Sequence, residues 1–96
     1  MQSEGSDGSL WYVYVLQLSD GSLYAGIAKS LESRMRDHRE GTGSKCVRSK
    51  RPFKLVWHYS VLGRSPALKI EAWIKKQPRV AKVEFLSKHG VRLEEK

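Results

Sequence analysis

The run Leu10-Trp11-Tyr12-Val13-Tyr14-Val15-Leu16-Gln17-Leu18 leads directly into Ser19-Asp20-Gly21-Ser22 and then Leu23-Tyr24-Ala25-Gly26-Ile27. β-Branched and aromatic side chains suit a pleated surface, and an Asp-Gly pair readily adopts the backbone of a tight turn. The pattern predicts a β-hairpin, and because an isolated hairpin is marginal in water, the remaining chain must supply another strand and helices to cover it. A glycine inside the return strand, Gly26, predicts a bulge or the close approach of another group to the backbone.

The downstream elements follow from their start and stop signals. Ser30 reads as an N-cap with Glu32 in the first turn, giving a helix from Leu31 to Glu40 that Gly41-Thr42-Gly43 ends. Ser44 to Lys54 reads as a loop and Phe53 to Val61 as a third strand. Ser65-Pro66 reads as an N-cap followed by proline at the first helical position, with a helix from Pro66 to Lys76 stopped by Pro78. Val80, Val83 and Leu86 recur at helical spacing, so a last helix is expected over Val80 to Lys88, with Gly90 as its stop. The order β-β-α-β-α-α predicts an α+β domain, a small three-stranded antiparallel sheet flanked by helices. It should occupy residues 10–90, between a disordered N-terminal tail, 1–9, and a C-terminal tail, 91–96.

Ninety-six residues suffice for one hydrophobic core and exclude a multidomain enzyme. With 18 Lys and Arg against 10 Asp and Glu, the net charge is +8, which favours a polyanionic partner through counterion release. Nucleic acid leads. Five cations, Lys45, Arg48, Lys50, Arg51 and Lys54, fall between Lys45 and Lys54 and form the densest positive stretch, which Lys75 and Lys76 extend. They are expected to grip a phosphate backbone; the competing reading is a solvated loop. No apolar run approaches the roughly 20 residues of a membrane span, and neither terminus offers a basic amphipathic helix, so no membrane role is expected. The single cysteine, Cys46, excludes an internal disulfide, and the first nine residues do not resemble a signal peptide, so a cytoplasmic location is expected.

Two helical faces carry misplaced polar groups. At about 100° per residue, Glu71 falls within roughly 60° of Ala67, Ile74 and Leu68, inside the apolar arc of its helix. A carboxylate there needs a cation, donors or a metal. The candidates are a structural ion pair with a cation from the sheet, or a metal ligand at the edge of the core. On the preceding helix Arg34 and His38, at i and i+4, lie together on the border of the inward stripe.

Tyr14 and Tyr24 lie on the two strands of the hairpin, and Gly26 follows Tyr24 by two residues. Here the sequence resembles the GIY-YIG nucleases: Tyr12-Val13-Tyr14 and Tyr24-Ala25-Gly26 look like their paired motifs. Arg34, His38 and Glu71 match in order and approximate spacing the helix arginine, the histidine one turn on and the later acidic residue. The resemblance spans about Trp11 to Leu86 and is closest to small standalone bacterial members, similar to the Slx-type nuclease domain. Asp20-Gly21, Arg51-Pro52 and Ile74-Lys75-Lys76 belong to the same resemblance. Tyr12 replaces the first motif's glycine, Ala25 the second motif's isoleucine, and Ile27 stands where the excision-repair nuclease domain has lysine. The chain contains no asparagine, so a family role for one does not carry over.

The resemblance implies a divalent-metal-dependent endonuclease acting on single-stranded, flapped or branched DNA in repair or recombination, with Tyr14, Tyr24, Arg34, His38 and Glu71 as catalytic residues. Glu71 would hold Mg²⁺ or Mn²⁺, Arg34 would offset charge on the phosphoryl oxygens, and Tyr24 or Tyr14 would contact the nucleophilic water with His38 assisting, Tyr24 being favoured. The main alternative is a catalytically silent nucleic-acid-binding module of the same fold. A small RNA-binding protein is disfavoured by the lack of an aromatic octamer or GXXG clamp. With no targeting domain recognisable, a partner protein is expected to supply specificity.

Overall fold

The computed structural model describes residues 8–91; the expected tail segments 1–7 and 92–96 lie outside the described residues. Strand β1 (Leu10–Gln17) pairs antiparallel with β2 (Leu23–Ala28) on one side and with β3 (Lys54–Leu62) on the other, so the sheet order is β2-β1-β3. The turn between β1 and β2 forms as expected. Leu18 and Ser22 close it, the Asp20 carboxylate accepts from the Ser22 N–H at 2.9 Å, and Gly21 takes φ 89°. The β1/β3 ladder shifts register between Val15 and Leu16.

Side-chain alternation divides the core into two halves. Val13, Val15 and Ala25 face α3 (Arg64–Lys76) and α4 (Arg79–Lys88), packing with Ala67, Ile74 and Leu86. Tyr14, Leu16 and Ala28 face the opposite way, toward α1 (Leu31–Glu40), and pack with Met35. Helices therefore cover both faces of the small sheet, as the α+β reading requires.

Three local expectations are corrected. The segment Ser44 to Lys54 is not all loop: Lys45–Arg48 forms the short helix α2, whose N-cap Ser44 Oγ accepts from the Cys46 and Val47 N–H groups. Val47 is fully buried and anchors it, and one apolar residue in a basic run is too little periodicity to reveal a helix. Helix α3 starts at Arg64 rather than Pro66, and Ser65 does not cap it. Gly63, at φ 97°, turns the chain straight from β3 into the helix, and Pro66 falls in the first turn, where a missing N–H costs nothing. Strand β3 is shifted by one residue from the expected limits, and helix α4 starts one residue early and ends at Lys88 as expected, which is within the ordinary variation of element ends.

Candidate active site

Tyr14 lies on the central strand opposite Gly26 of edge strand β2. A Cβ on Gly26 would stand 2.5 Å from the Tyr14 oxygen and 2.6 Å from its Cζ, so the ring lies across the glycine backbone. This is the close approach that Gly26 predicts. The folded-over ring reaches α1, where the Tyr14 hydroxyl meets Nε2 of His38 at 2.9 Å. Ser30 starts α1 by accepting from Ser33 N–H, and Gly41 ends it in the left-handed conformation, which fixes His38 in the last turn. His38 is almost fully buried, deeper than a border position on its helix suggests.

The imidazole is walled by aromatic rings. Its centroid lies 5.9 Å from that of Tyr14, 5.8 Å from Tyr24 and 5.9 Å from Phe53, all edge-on. The fourth side is backbone: a Cβ on Gly43 would come within 2.5 Å of Nδ1. Among the described residues Nδ1 has no hydrogen-bond partner. Tyr24 is only half-buried, with its ring 6.5 Å from that of Tyr14.

Burial, the adjacent Tyr24 phenol and the Glu71 carboxylate push the Tyr14 pKa well above that of a free phenol, while Arg34 opposes them. Burial and the Arg34 charge hold the His38 pKa below its ordinary value, with Asp37 opposing. At pH 7 the pair is therefore a neutral phenol on a neutral imidazole. Tyr14, Tyr24 and His38 are thus brought into one cluster, and Arg34 of α1 and Glu71 of α3 bear on its phenol through their charges.

Glu71 is partly covered, its side chain 17% exposed, and its Oε2 lies 3.2 Å from Nζ of Lys75. Its cation comes from the same helix, not from the sheet. Mg²⁺ commonly takes only one or two protein carboxylates and completes its shell with water and substrate phosphate. The solvent-accessible carboxylate of Glu71 fits that need; among the described residues no group of three His, Cys, Asp or Glu provides a larger cage.

Several of the expected phosphate-gripping cations have intramolecular partners. Lys50 binds Asp20 at 3.1 Å, and Arg51 donates to the carbonyl oxygens of Arg39 and Arg48 at 2.7 and 3.1 Å. These two cations join the basic segment to the hairpin turn and to the end of α1, a job indistinguishable in sequence from phosphate binding. Lys75 holds Glu71. Lys45 and Arg48 are exposed on α2, and Lys54 begins β3. Sequence reasoning missed Gly43 and Phe53; Gly43 reads as a helix stop, and only the position of His38 reveals its second role.

A three-stranded sheet with helices on both faces, and this cluster at one edge, is the arrangement of a known class of catalytic domain. The sequence matches the model of the GIY-YIG catalytic domain over residues 10–83, and the chain belongs to that family. It is 41% identical over 85 residues to a UPF0213 protein of Lactiplantibacillus plantarum, covering 86% of this chain and 84% of that one. A UPF0213 protein of Syntrophus aciditrophicus is 40% identical over 83 residues, covering 85% of this chain and 95% of the relative. The fold is similar to the solution NMR structure of a UPF0213 protein from Bacillus halodurans, with TM-score 0.55, 32% identity, and coverage of 81% of this chain and 83% of that one. An E. faecalis protein solved by NMR gives TM-score 0.60 at 31% identity, covering 95% of this chain and 97% of that one.

Proposed function

We propose that this chain is a divalent-metal-dependent endonuclease that hydrolyses DNA phosphodiester bonds, with single-stranded, flapped or branched DNA as substrate. The observation that carries the reading is the buried Tyr14–His38 hydrogen bond, with Arg34 and Glu71 bearing on the same phenol. Family membership supports the reaction class.

Hydrolysis adds water across the P–O3′ bond, so one proton must leave the attacking water, and the departing O3′ takes one from solvent, to which His38 later returns the relayed proton. A standing tyrosinate is disfavoured by the burial of Tyr14. A relay avoids it: Tyr14 accepts the water's proton as it gives its own to Nε2 of His38, which is neutral and already in hydrogen-bond contact. Tyr24, the more exposed phenol, orients the water. Arg34 presents a permanently charged fork to the phosphoryl oxygens. Glu71 would hold Mg²⁺ or Mn²⁺, releasing Lys75, and the bound ion would offset negative charge as the bond breaks.

The expected surroundings complete the reading: a cytoplasmic enzyme directed to its DNA by a protein partner. Among the described residues no helix is long and apolar enough to cross a membrane. The test is a panel of end-labelled single-stranded, duplex, flapped and branched DNAs incubated with Mg²⁺ or Mn²⁺. Metal-dependent nicking abolished by Glu71→Ala and Arg34→Ala is expected. Tight binding without cleavage across the panel would instead establish the silent binding module.

A further inference from the structure

Two cations converge on one indole at the end of the sheet away from the hairpin turn. Nζ of Lys29, just after β2, lies 5.8 Å from the Trp11 ring centroid, and the Arg64 guanidinium carbon, at the start of α3, lies 5.9 Å from it. Both distances are within the range of a cation–π contact. This differs physically from the arrangement at Lys50 and Arg51. A carboxylate neutralises a cation, and a carbonyl uses up a donor; an aromatic face orients the cation while leaving its charge and its N–H groups available. Among the described residues neither Lys29 nor Arg64 has another side-chain partner. Like charges drawn toward one ring repel, and an anion bound beside the ring offsets that repulsion.

Two further features of the same spot favour an anion. The Trp11 Nε1–H is buried and, among the described residues, has no acceptor. Helix α3, thirteen residues long, begins there with Gly63 as N-cap and no capping side chain, so its positive end is unneutralised. We propose that Trp11, Lys29 and Arg64 form a clamp for a backbone phosphate of the nucleic-acid strand flanking the reacting bond. The clamp deepens the nuclease reading and rests on it for the identity of the strand. Along the backbone Trp11 precedes Tyr14 by three strand residues, about 10 Å, and Arg64 precedes Glu71 by seven helical residues, also about 10 Å. Trp11 packs on the α3 face of the sheet and Tyr14 on the α1 face, so the clamp is separate from the Tyr14 site and holds the strand at the end of the sheet without entering the chemistry.

The experiment uses the full chain and a fluorescein-labelled single-stranded DNA oligonucleotide, with binding followed from low to moderate salt in EDTA so that no cleavage intervenes. Each neutralised phosphate contact contributes about 0.7 to the slope of log K against log salt for a single strand. Lys29→Gln and Arg64→Gln are each expected to lower the slope by about that amount, and the double variant by about twice as much. Lys88→Gln, a charge removed from the far end of α4, should leave the slope unchanged. In ¹⁵N spectra the indole cross-peak lost in Trp11→Phe should shift when DNA is added to wild type, and inorganic phosphate should move it only at much higher concentration. An unchanged slope in the double variant, or a Trp11 indole peak unmoved by saturating DNA, overturns the clamp. Circular dichroism checks that the variants fold. Absence of cleavage by wild type with metal would defeat the nuclease reading alone, because the slope and the indole shift are measured without turnover.

Discussion

The Tyr14 hydroxyl and Nε2 of His38 form a buried hydrogen bond of 2.9 Å between the central strand and the last turn of α1. Neither group has a charged partner at that contact; the bond ties the two rings together and, in the proposed mechanism, carries the relayed proton. Tyr14→Phe keeps the ring and removes the oxygen. It leaves the imidazole without a hydrogen-bond partner at either nitrogen among the described residues, which should cost about 1–3 kcal/mol by urea denaturation. Single-turnover cleavage should fall by about 10²- to 10⁴-fold, the usual worth of a positioned acid or base. Tyr24→Phe should slow cleavage while leaving most of the stability intact, since it spares that bond.

The depressed His38 pKa makes stability depend on pH. In the unfolded chain the imidazole protonates near 6.5; in the folded chain burial and Arg34 hold the value lower. Between the two values the unfolded state binds more protons, so stability rises with pH across that window. Wild type should therefore reach full thermal stability above pH 7 and lose it as pH falls below about 6.5, the loss levelling off once the folded-state pKa is passed. His38→Gln should flatten this part of the profile. A denaturation series from pH 8 to pH 5 on both proteins checks the sign.

Gly26 and Gly43 make room for the two partners of this bond. An added methyl at Gly26 would lie 2.5 Å from the Tyr14 oxygen, and one at Gly43 would lie 2.5 Å from His38 Nδ1. Both rings are buried and cannot swing away. Gly26→Ala and Gly43→Ala should each destabilise by about 1–3 kcal/mol, as overpacking does, and should slow cleavage beyond what the loss of folded protein explains. Stability and activity measured side by side separate the two effects.

The hairpin was legible because its signals are local: β-branched residues, an Asp-Gly turn and a return strand all lie within residues 10–28. Gly26 as a point of close approach was legible for the same reason. Helical periodicity placed Arg34, His38 and Glu71 toward the interior, but it has no information about partners. The sequence offers the same lysine code for a cation that grips phosphate and one that ties the chain together, so the tie from Lys50 to Asp20 and the tie from Lys75 to Glu71 emerged only in three dimensions. Helix α2 stayed hidden because a four-residue element lacks a full period of apolar residues. Helix α3 starts two residues before the point its sequence predicts, because the Ser65-Pro66 signal is stronger in sequence than a turn made by Gly63.

The positive charges now divide by what holds them, and the division predicts separable kinetics. Arg34 bears on both Tyr14 and His38 through its charge, and in the proposed mechanism its fork offsets charge that develops at the reacting phosphate. Arg34→Ala should reduce saturated turnover by about 10²- to 10³-fold, the scale of losing one transition-state donor, with little change in DNA affinity. Arg34→Lys should recover only part of this, because an ammonium keeps the charge but not the planar pair of donors. Lys45 and Arg48, exposed on α2, should behave oppositely: Lys45→Gln or Arg48→Gln should raise KM and lower the salt slope by about 0.7 each on a single strand. Lys50→Gln should register chiefly as lost stability, because its ammonium joins the basic segment to the hairpin through Asp20. Its effect should diminish in Asp20→Asn, where the charge it answers is already gone. A salt series with measured KM and kcat for these variants distinguishes the three roles, and equal losses in kcat for Arg34 and Lys45 variants would refute the division.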